Sequence, residues 1–171
     1  MTDRAAETKA GSMSRPLVVF SLDERRYALA LERVRRSIRA VAVTPLPEAP
    51  AIVLGIVDLG GTVFPVIDLR KRFNLPPRDI RLSDQLLIAD TGRRGVALLV
   101  DATMGLIEAP SERYTAAGEI MSGLGIVAGV LVLEDGMILI HDLELLLSFE
   151  EESAVGRALS AAQRQDDASA G

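Results

Sequence analysis

Apolar residues along this chain fall into short runs and not into long stripes. The runs at 17–20, 52–57, 63–67, 86–89, 96–100, 126–133 and 137–140 are rich in Val, Ile and Leu, and Gly, Pro, Asp or Asn bounds them. Such runs predict strands. Three links, Asp58-Leu59-Gly60-Gly61, Asp90-Thr91-Gly92 and Glu134-Asp135-Gly136, carry Gly where tight hairpins need positive φ. Short helices are predicted at 31–36 and, behind an Asp142 cap, at 143–148. The expected class is mainly all-β, with one or two short helices.

The pattern also repeats. Residues 55–69 resemble 129–143, each a hairpin ending in Asp-Leu, and 20–29 aligns loosely with 88–97, setting Arg25-Arg26 against Arg93-Arg94 at the turns. Two related halves of about 65 residues are implied, each a strand set small enough to close as a little barrel.

Residues 1–15 are polar and charged, and 151–171 are rich in Ala, Ser, Gln and charge. The first segment is expected as a disordered N-terminal tail and the second as a flexible or partly helical C-terminal tail, leaving 16–150 as the folded domain. The whole chain, 171 residues, is within the size of one domain and can bury a core without staples. It contains no cysteine, which excludes disulfides, thiolate catalysis and iron–sulfur clusters. The opening lacks the apolar core of a secretory signal. The longest apolar run, 126–133, is interrupted by Gly129 and falls far short of the ~20 residues of a membrane-spanning helix. A soluble, cytoplasmic protein without membrane insertion is expected.

A net charge of −5 argues against nucleic acid as a partner. Only two of the nineteen basic residues are lysines, and Arg25, Arg26, Arg33, Arg35, Arg36 and Arg39 crowd one short stretch. Arginine pairs bidentately with carboxylates, so the cluster suits an acidic partner as well as a solvated face.

Reactive groups do not converge. The single histidine, His141, ends an apolar run with no positioned partner in view, which reads as a strand-end residue and not as a general base. Gly123-Leu-Gly125-Ile-Val-Ala128 fits the dinucleotide fingerprint, but a polar segment precedes it and a hairpin follows, where that motif needs a strand and then a helix. Asp101 ends a strand like a phospho-acceptor, yet no lysine follows Lys71. With Asp68 and Asp142 it reads as a turn former and cap. No catalytic residue, cofactor or metal ligand is expected.

The ordered string Thr44-Pro-Leu-Pro-Glu-Ala-Pro50, Gly55-Ile-Val-Asp-Leu-Gly-Gly61 and Pro65-Val-Ile-Asp-Leu-Arg70 resembles the CheW family. Phe20-Ser-Leu and Tyr27-Ala-Leu before it, with Phe73 and Leu98-Leu-Val-Asp101 after it, extend the resemblance across the domain. It implies two small five-stranded β-barrels packed on a common hydrophobic core. It also implies a non-enzymatic adaptor that couples chemoreceptors to a CheA-type histidine kinase. One barrel face would hold the kinase regulatory domain, and an apolar groove between the barrels would take the receptor's cytoplasmic tip. Other CheW-like proteins would be neighbours in a receptor array. Family positions place partner contacts at Val34, Arg36, Gly55, Gly60, Leu86, Thr103 and Leu106, the last three lining the groove.

The chain departs from the family where contacts are made. The usual arginine of an Asn-Leu-Arg-Gly turn is Gly60, the usual glutamate of Val-x-Glu-Ile is Arg36, and a further acidic position is Gly105. Losing a Glu and an Arg together suggests an abandoned ion pair, because losing one alone strands the other. Two roles follow: a bridge whose partners have co-varied with it, or an accessory paralogue, like the extra adaptors of Frz-type systems in gliding bacteria. Such a paralogue would bind receptors, lack the kinase contact and modulate array assembly. The Met start and the tails argue against a segment of a larger kinase.

Overall fold

The computed structural model describes residues 14–120 and 125–170. Most of the expected N-terminal tail, 1–13, and Gly123 of the rejected fingerprint lie outside them. Strands β1 Arg15–Leu22, β2 Arg25–Ala30, β3 Val34–Arg39, β4 Val53–Leu59, β5 Thr62–Asp68 and β6 Gln85–Asp90 come first. They are followed by β7 Gly95–Val100, β8 Ala102–Ala109, β9 Tyr114–Ala116, β10 Val127–Leu133 and β11 Gly136–His141. The helices are α1 Leu69–Arg72, α2 Ala117–Ile120 and α3 Phe149–Ser169. Among the described residues, none is long and apolar enough to cross a membrane.

Two sheets form, ordered β8-β1-β2-β11-β10-β9 and β3-β6-β7-β5-β4. Each curls until its ends meet. Beyond β3 the chain returns to β4, where Thr44 and Ile56 exchange backbone hydrogen bonds of 2.9 and 2.7 Å. Beyond β8 it returns as β9 beside β10, with Ala116 opposite Gly129. Both closures need glycine: a Cβ on Gly55 would lie 2.2 Å from the Thr44 carbonyl oxygen, and one on Gly129 2.4 Å from the Tyr114 ring. The sixth strand of the first sheet is the three-residue β9, an addition to the expected five.

The internal repeat is a structural one. Hairpins β4–β5 and β10–β11 both shift register near their start, between Val53 and Gly55 and between Val127 and Gly129. Each lays its second strand parallel to an inner strand, β5 to β7 and β11 to β2. Asp68 and Asp142 then donate their amides to Ile52 and Ile126 at 2.8 Å. Their carboxylates cap α1 and the 3-10 turn Leu143–Leu145. The barrels, however, do not coincide with the halves. Hairpin β1–β2 of the first half joins β8, β10 and β11 of the second, while β6–β7 of the second joins β3, β4 and β5 of the first. This exchange lets both hairpins cover a shared core that a half by itself would leave open to water.

That core explains why the strands read as apolar runs and not as strict alternation. Val18, Phe20, Leu22, Tyr27 and Leu29 of the first barrel pack with Leu87, Ala89, Val96, Leu98 and Val100 of the second. The intervening residues fill the barrel interiors, Leu17, Val19 and Ala28 in one and Leu86, Ile88 and Ala97 in the other. Inner strands covered on both faces lose the polar half of their pattern.

Two local expectations are corrected. The helix expected at 31–36 is only a 3-10 turn, Leu31–Arg33, after which β3 pairs with β6. Four of the six β3 residues are exposed, so an edge strand looks like a charged helix in sequence. The helix expected at 143–148 is the 3-10 turn already named, and a new helix, α3, starts at Phe149. Ser148 and Glu151 form a reciprocal capping box there, and the expected C-terminal tail is helical to Ser169. The first hairpin turns at Asp23-Glu24, both at positive φ, one step before the arginine pair.

Candidate partner-docking site

Strands β3 and β8, each at the end of its sheet beside a hairpin exchanged from the other half, meet where the barrels abut. The Ser37 and Thr103 hydroxyls lie 2.8 Å apart, and the Thr103 amide donates to Gln85 Oε1 at 2.5 Å. Directly opposed residues of an antiparallel pair share a face. On β8, Thr103 opposes Phe20 and Leu106 opposes Val18, both members of the shared core, with a register shift between them. That bulge sets Thr103 and Leu106 on one face although they stand three residues apart. On β3, Val34 opposes Ala89 and Ser37 opposes Leu87, again core residues. Val34, Ser37, Thr103 and Leu106 therefore edge the seam between the barrels. Leu106 is 65% exposed and its neighbour Met104 57%. Large apolar side chains this open beside a core are candidates for a partner's apolar anchors.

The expected contact residues thus divide. Val34, Thr103 and Leu106 come together at the seam. Leu86 does not join them: it is 0% exposed, inside the second barrel, because β6 lies between β3 and β7 with both faces covered. Gly55 is buried at the barrel closure and touches no outer surface. Gly60 sits at the open tip of the β4–β5 hairpin at φ +64, and among the described residues only its own atoms and those of its two chain neighbours lie within 4 Å of where a Cβ would be. Arg36 is exposed in the bulged part of β3, whose edge makes no strand pairing with β4. Among the described residues it has no ion-pair partner, whereas Arg33 pairs with Glu144 and Arg35 with Asp90 at 2.8 Å. Sequence reasoning missed Ser37 and Met104, because strands β3 and β8 carry too much exposed surface to read as apolar runs, and Gln85, a polar residue one place before the apolar run of β6.

Behind the seam lies an ion-pair junction. Arg70, at the start of α1, is 6% exposed, and its Nη1 meets Asp23 Oδ1 at 2.7 Å. Its Nη2 donates to both Asp101 oxygens at 2.7 and 2.8 Å. Arg78 joins Asp101 to the buried Asp84, at 2.5 and 2.7 Å. Burial would push the Asp101 carboxyl up, but hydrogen bonds from Arg70 and the Asp23 amide, with both guanidinium charges, hold it below the usual range. The Asp84 carboxyl, also opposed by burial, is held down by Arg78 and the Arg81 amide. Asp101 is therefore a hub between the barrels, a larger role than the turn former expected, whereas Asp68 and Asp142 are caps as read.

The single histidine is inert here. His141 is buried and stacks on Phe73 with ring centroids 4.2 Å apart, and among the described residues neither ring nitrogen has a hydrogen-bond partner. Burial pushes its imidazole down to about 4.

Comparison with known proteins agrees with this geometry. The family model of the CheW-like domain matches residues 16–151. A probable chemotaxis protein CheW of Rhizobium etli is 31% identical over 82% of this chain and 92% of its own length. The chemotaxis protein CheW of Rhizobium meliloti is 28% identical over 90% and 99%. Among solved structures, the scaffolding protein TtCheW of Thermoanaerobacter tengcongensis superimposes with a TM-score of 0.73 at 30% identity, covering 81% of this chain and 96% of that one. With its two exchanged barrels and a matching model over nearly all the folded residues, this chain belongs to the CheW-like domain family.

Proposed function

We propose that this chain is a non-enzymatic coupling adaptor of chemosensory signalling, with the β3–β8 seam receiving the helical tip of a chemoreceptor. The observation that carries the reading is Leu106, 65% exposed on the face of β8 whose β1 partners form the shared core. An amphipathic helix laid along such a seam gains affinity from apolar anchors, and the polar Ser37–Thr103 pair beneath it fixes register. The relatives named for chemotaxis support the role. The second partner is a CheA-type kinase regulatory domain, met by the face that carries the β4–β5 hairpin and Arg36. Arg36, without an ion-pair partner among the described residues, and the bare Gly60 tip favour a weakened kinase contact, because a surface built for Glu and Arg there would meet like charge. The test is calorimetry against a receptor tip and, separately, the kinase regulatory domain at physiological salt. Receptor binding lost in a folded Leu106→Asp protein supports the seam; receptor binding unchanged in that variant refutes it. Strong kinase binding by the unaltered chain makes it a full bridge, and none makes it an accessory adaptor.

A further inference from the structure

Helix α3 is held in two unequal ways along its length. Its first half is clamped: the capping box closes its start, Arg72 Nη2 reaches both Glu151 oxygens at 2.6 and 2.5 Å, and Arg94 Nε reaches Glu152 at 2.5 Å. Its own Val155 and Ala158 are buried. Past Ala158 no residue is buried, and among the described residues no side chain of this half makes a hydrogen bond or ion pair, although it carries Arg164, Asp166 and Asp167. This second half still lies over the β4–β5 hairpin. Leu159, Ala162, Gln163 and Asp166 face Ile56, Gly61, Thr62 and Val63 across a cleft of about 330 Å³ that they leave unfilled. Val63 remains 45% exposed under it.

With no buried residue, no side-chain clamp and a solvent-open cleft between helix and hairpin, the second half is held far less firmly than the first. We infer that residues 159–169 are an autoinhibitory strap. Docked, they cover Ile56 and Val63 beside the Gly60-Gly61 tip; released, they uncover an apolar patch for the kinase regulatory domain. This rests on the reading that the hairpin face meets the kinase. It adds that the chain limits its own access to that partner. A ligand that binds only the released state is weakened by the fraction of chains still strapped.

The experiment compares three forms of the protein. Leu159→Asp with Ala162→Asp loosens the strap in the full-length chain, and truncation after Ala158 removes it. The third form, Thr62→Cys with Gln163→Cys, is closed by a short thiol cross-linker, which is selective because the chain has no other cysteine. The expected result is that the first two bind the kinase regulatory domain about fivefold or more tightly than the parent, and that cross-linking weakens binding by as much. Hydrogen exchange on the unaltered chain should show 159–169 exchanging faster than 149–158. Equal protection along α3, or affinities within twofold across all forms, overturns the strap. Equal binding by all forms leaves the kinase role standing, whereas binding by none removes that role as well.

Discussion

Arg70 binds both carboxylate oxygens of Asp101 through one guanidinium nitrogen, at 2.7 and 2.8 Å, while holding Asp23 with the other. Three connections converge there: the β1–β2 turn of the first barrel, α1 of the second, and the link from β7 to β8 that passes between them. Arg70 and Asp101 each end a stretch that marks the family in sequence. The structure gives such residues a role internal to the fold: they tie the two barrels together.

Removing one partner should therefore cost more than removing both. Arg70→Met leaves Asp23 and Asp101 facing each other without their shared cation, and a loss of roughly 3 kcal/mol is expected in urea unfolding. Adding Asp101→Asn should recover part of that loss. A single-mutant loss under about 1 kcal/mol would show that the junction is already hydrated.

Stability should fall on mild acidification. His141 has an unfolded value near 6.5 and a folded value of about 4, so the unfolded chain binds its proton first. Stability is complete above about pH 6.5 and declines as pH drops toward 4, by about 3 kcal/mol in all. The depressed carboxylates Asp84, Asp101 and Glu151 add to the loss in the same direction, but only below about pH 4.5. In the repeat, His141 occupies the place of the fully buried Ile67. His141→Ile should remove the decline between pH 6.5 and 4.5 and raise stability at neutral pH by about 1 kcal/mol. A variant that keeps the slope assigns it to another group.

Closure glycines should tolerate nothing larger. Gly55→Ala drives a methyl into the Thr44 carbonyl and Gly129→Ala drives one into the Tyr114 ring, so each should cost about 2–4 kcal/mol. Backbone is the less yielding neighbour, and thermal unfolding should rank Gly55→Ala as the worse. The reverse order would mean that the β9 closure is the more rigid of the two.

Leu106 and Leu86 should respond in opposite ways to aspartate. Leu106→Asp is expected to fold with native circular dichroism and to lose the receptor tip by tenfold or more, while Leu86→Asp should not fold, since it buries a charge in a barrel interior. Unfolding of Leu106→Asp would return it to the core.

Restoring the family's charges tests the kinase contact. Arg36→Glu with Gly60→Arg should strengthen binding to a CheA-type regulatory domain about tenfold relative to the parent. Gly60 stands at φ +64, so its arginine should also lower stability by about 1 kcal/mol, read in the same preparation. No gain in affinity would locate the departure from the family elsewhere on the surface.

The sequence by itself determined what neighbouring residues decide. Turn chemistry at Gly60-Gly61, Gly92 and Gly136, the Asp68 and Asp142 caps, and the inner strands were legible because each depends on a few adjacent positions. So was the repeat, since its two copies share a hairpin and a cap. Only the tertiary structure decided the rest. Val34–Arg39 carries one pattern whether it is a helix or an edge strand, and its pairing with β6, some fifty residues onward, settles which. Leu86 and Leu106 look alike in sequence, yet one is sealed between strands on both sides while the other stands on an edge strand, 65% exposed. Arg70 and Asp101 meet because the halves exchange strands, a choice made by the apolar faces that one half cannot cover alone.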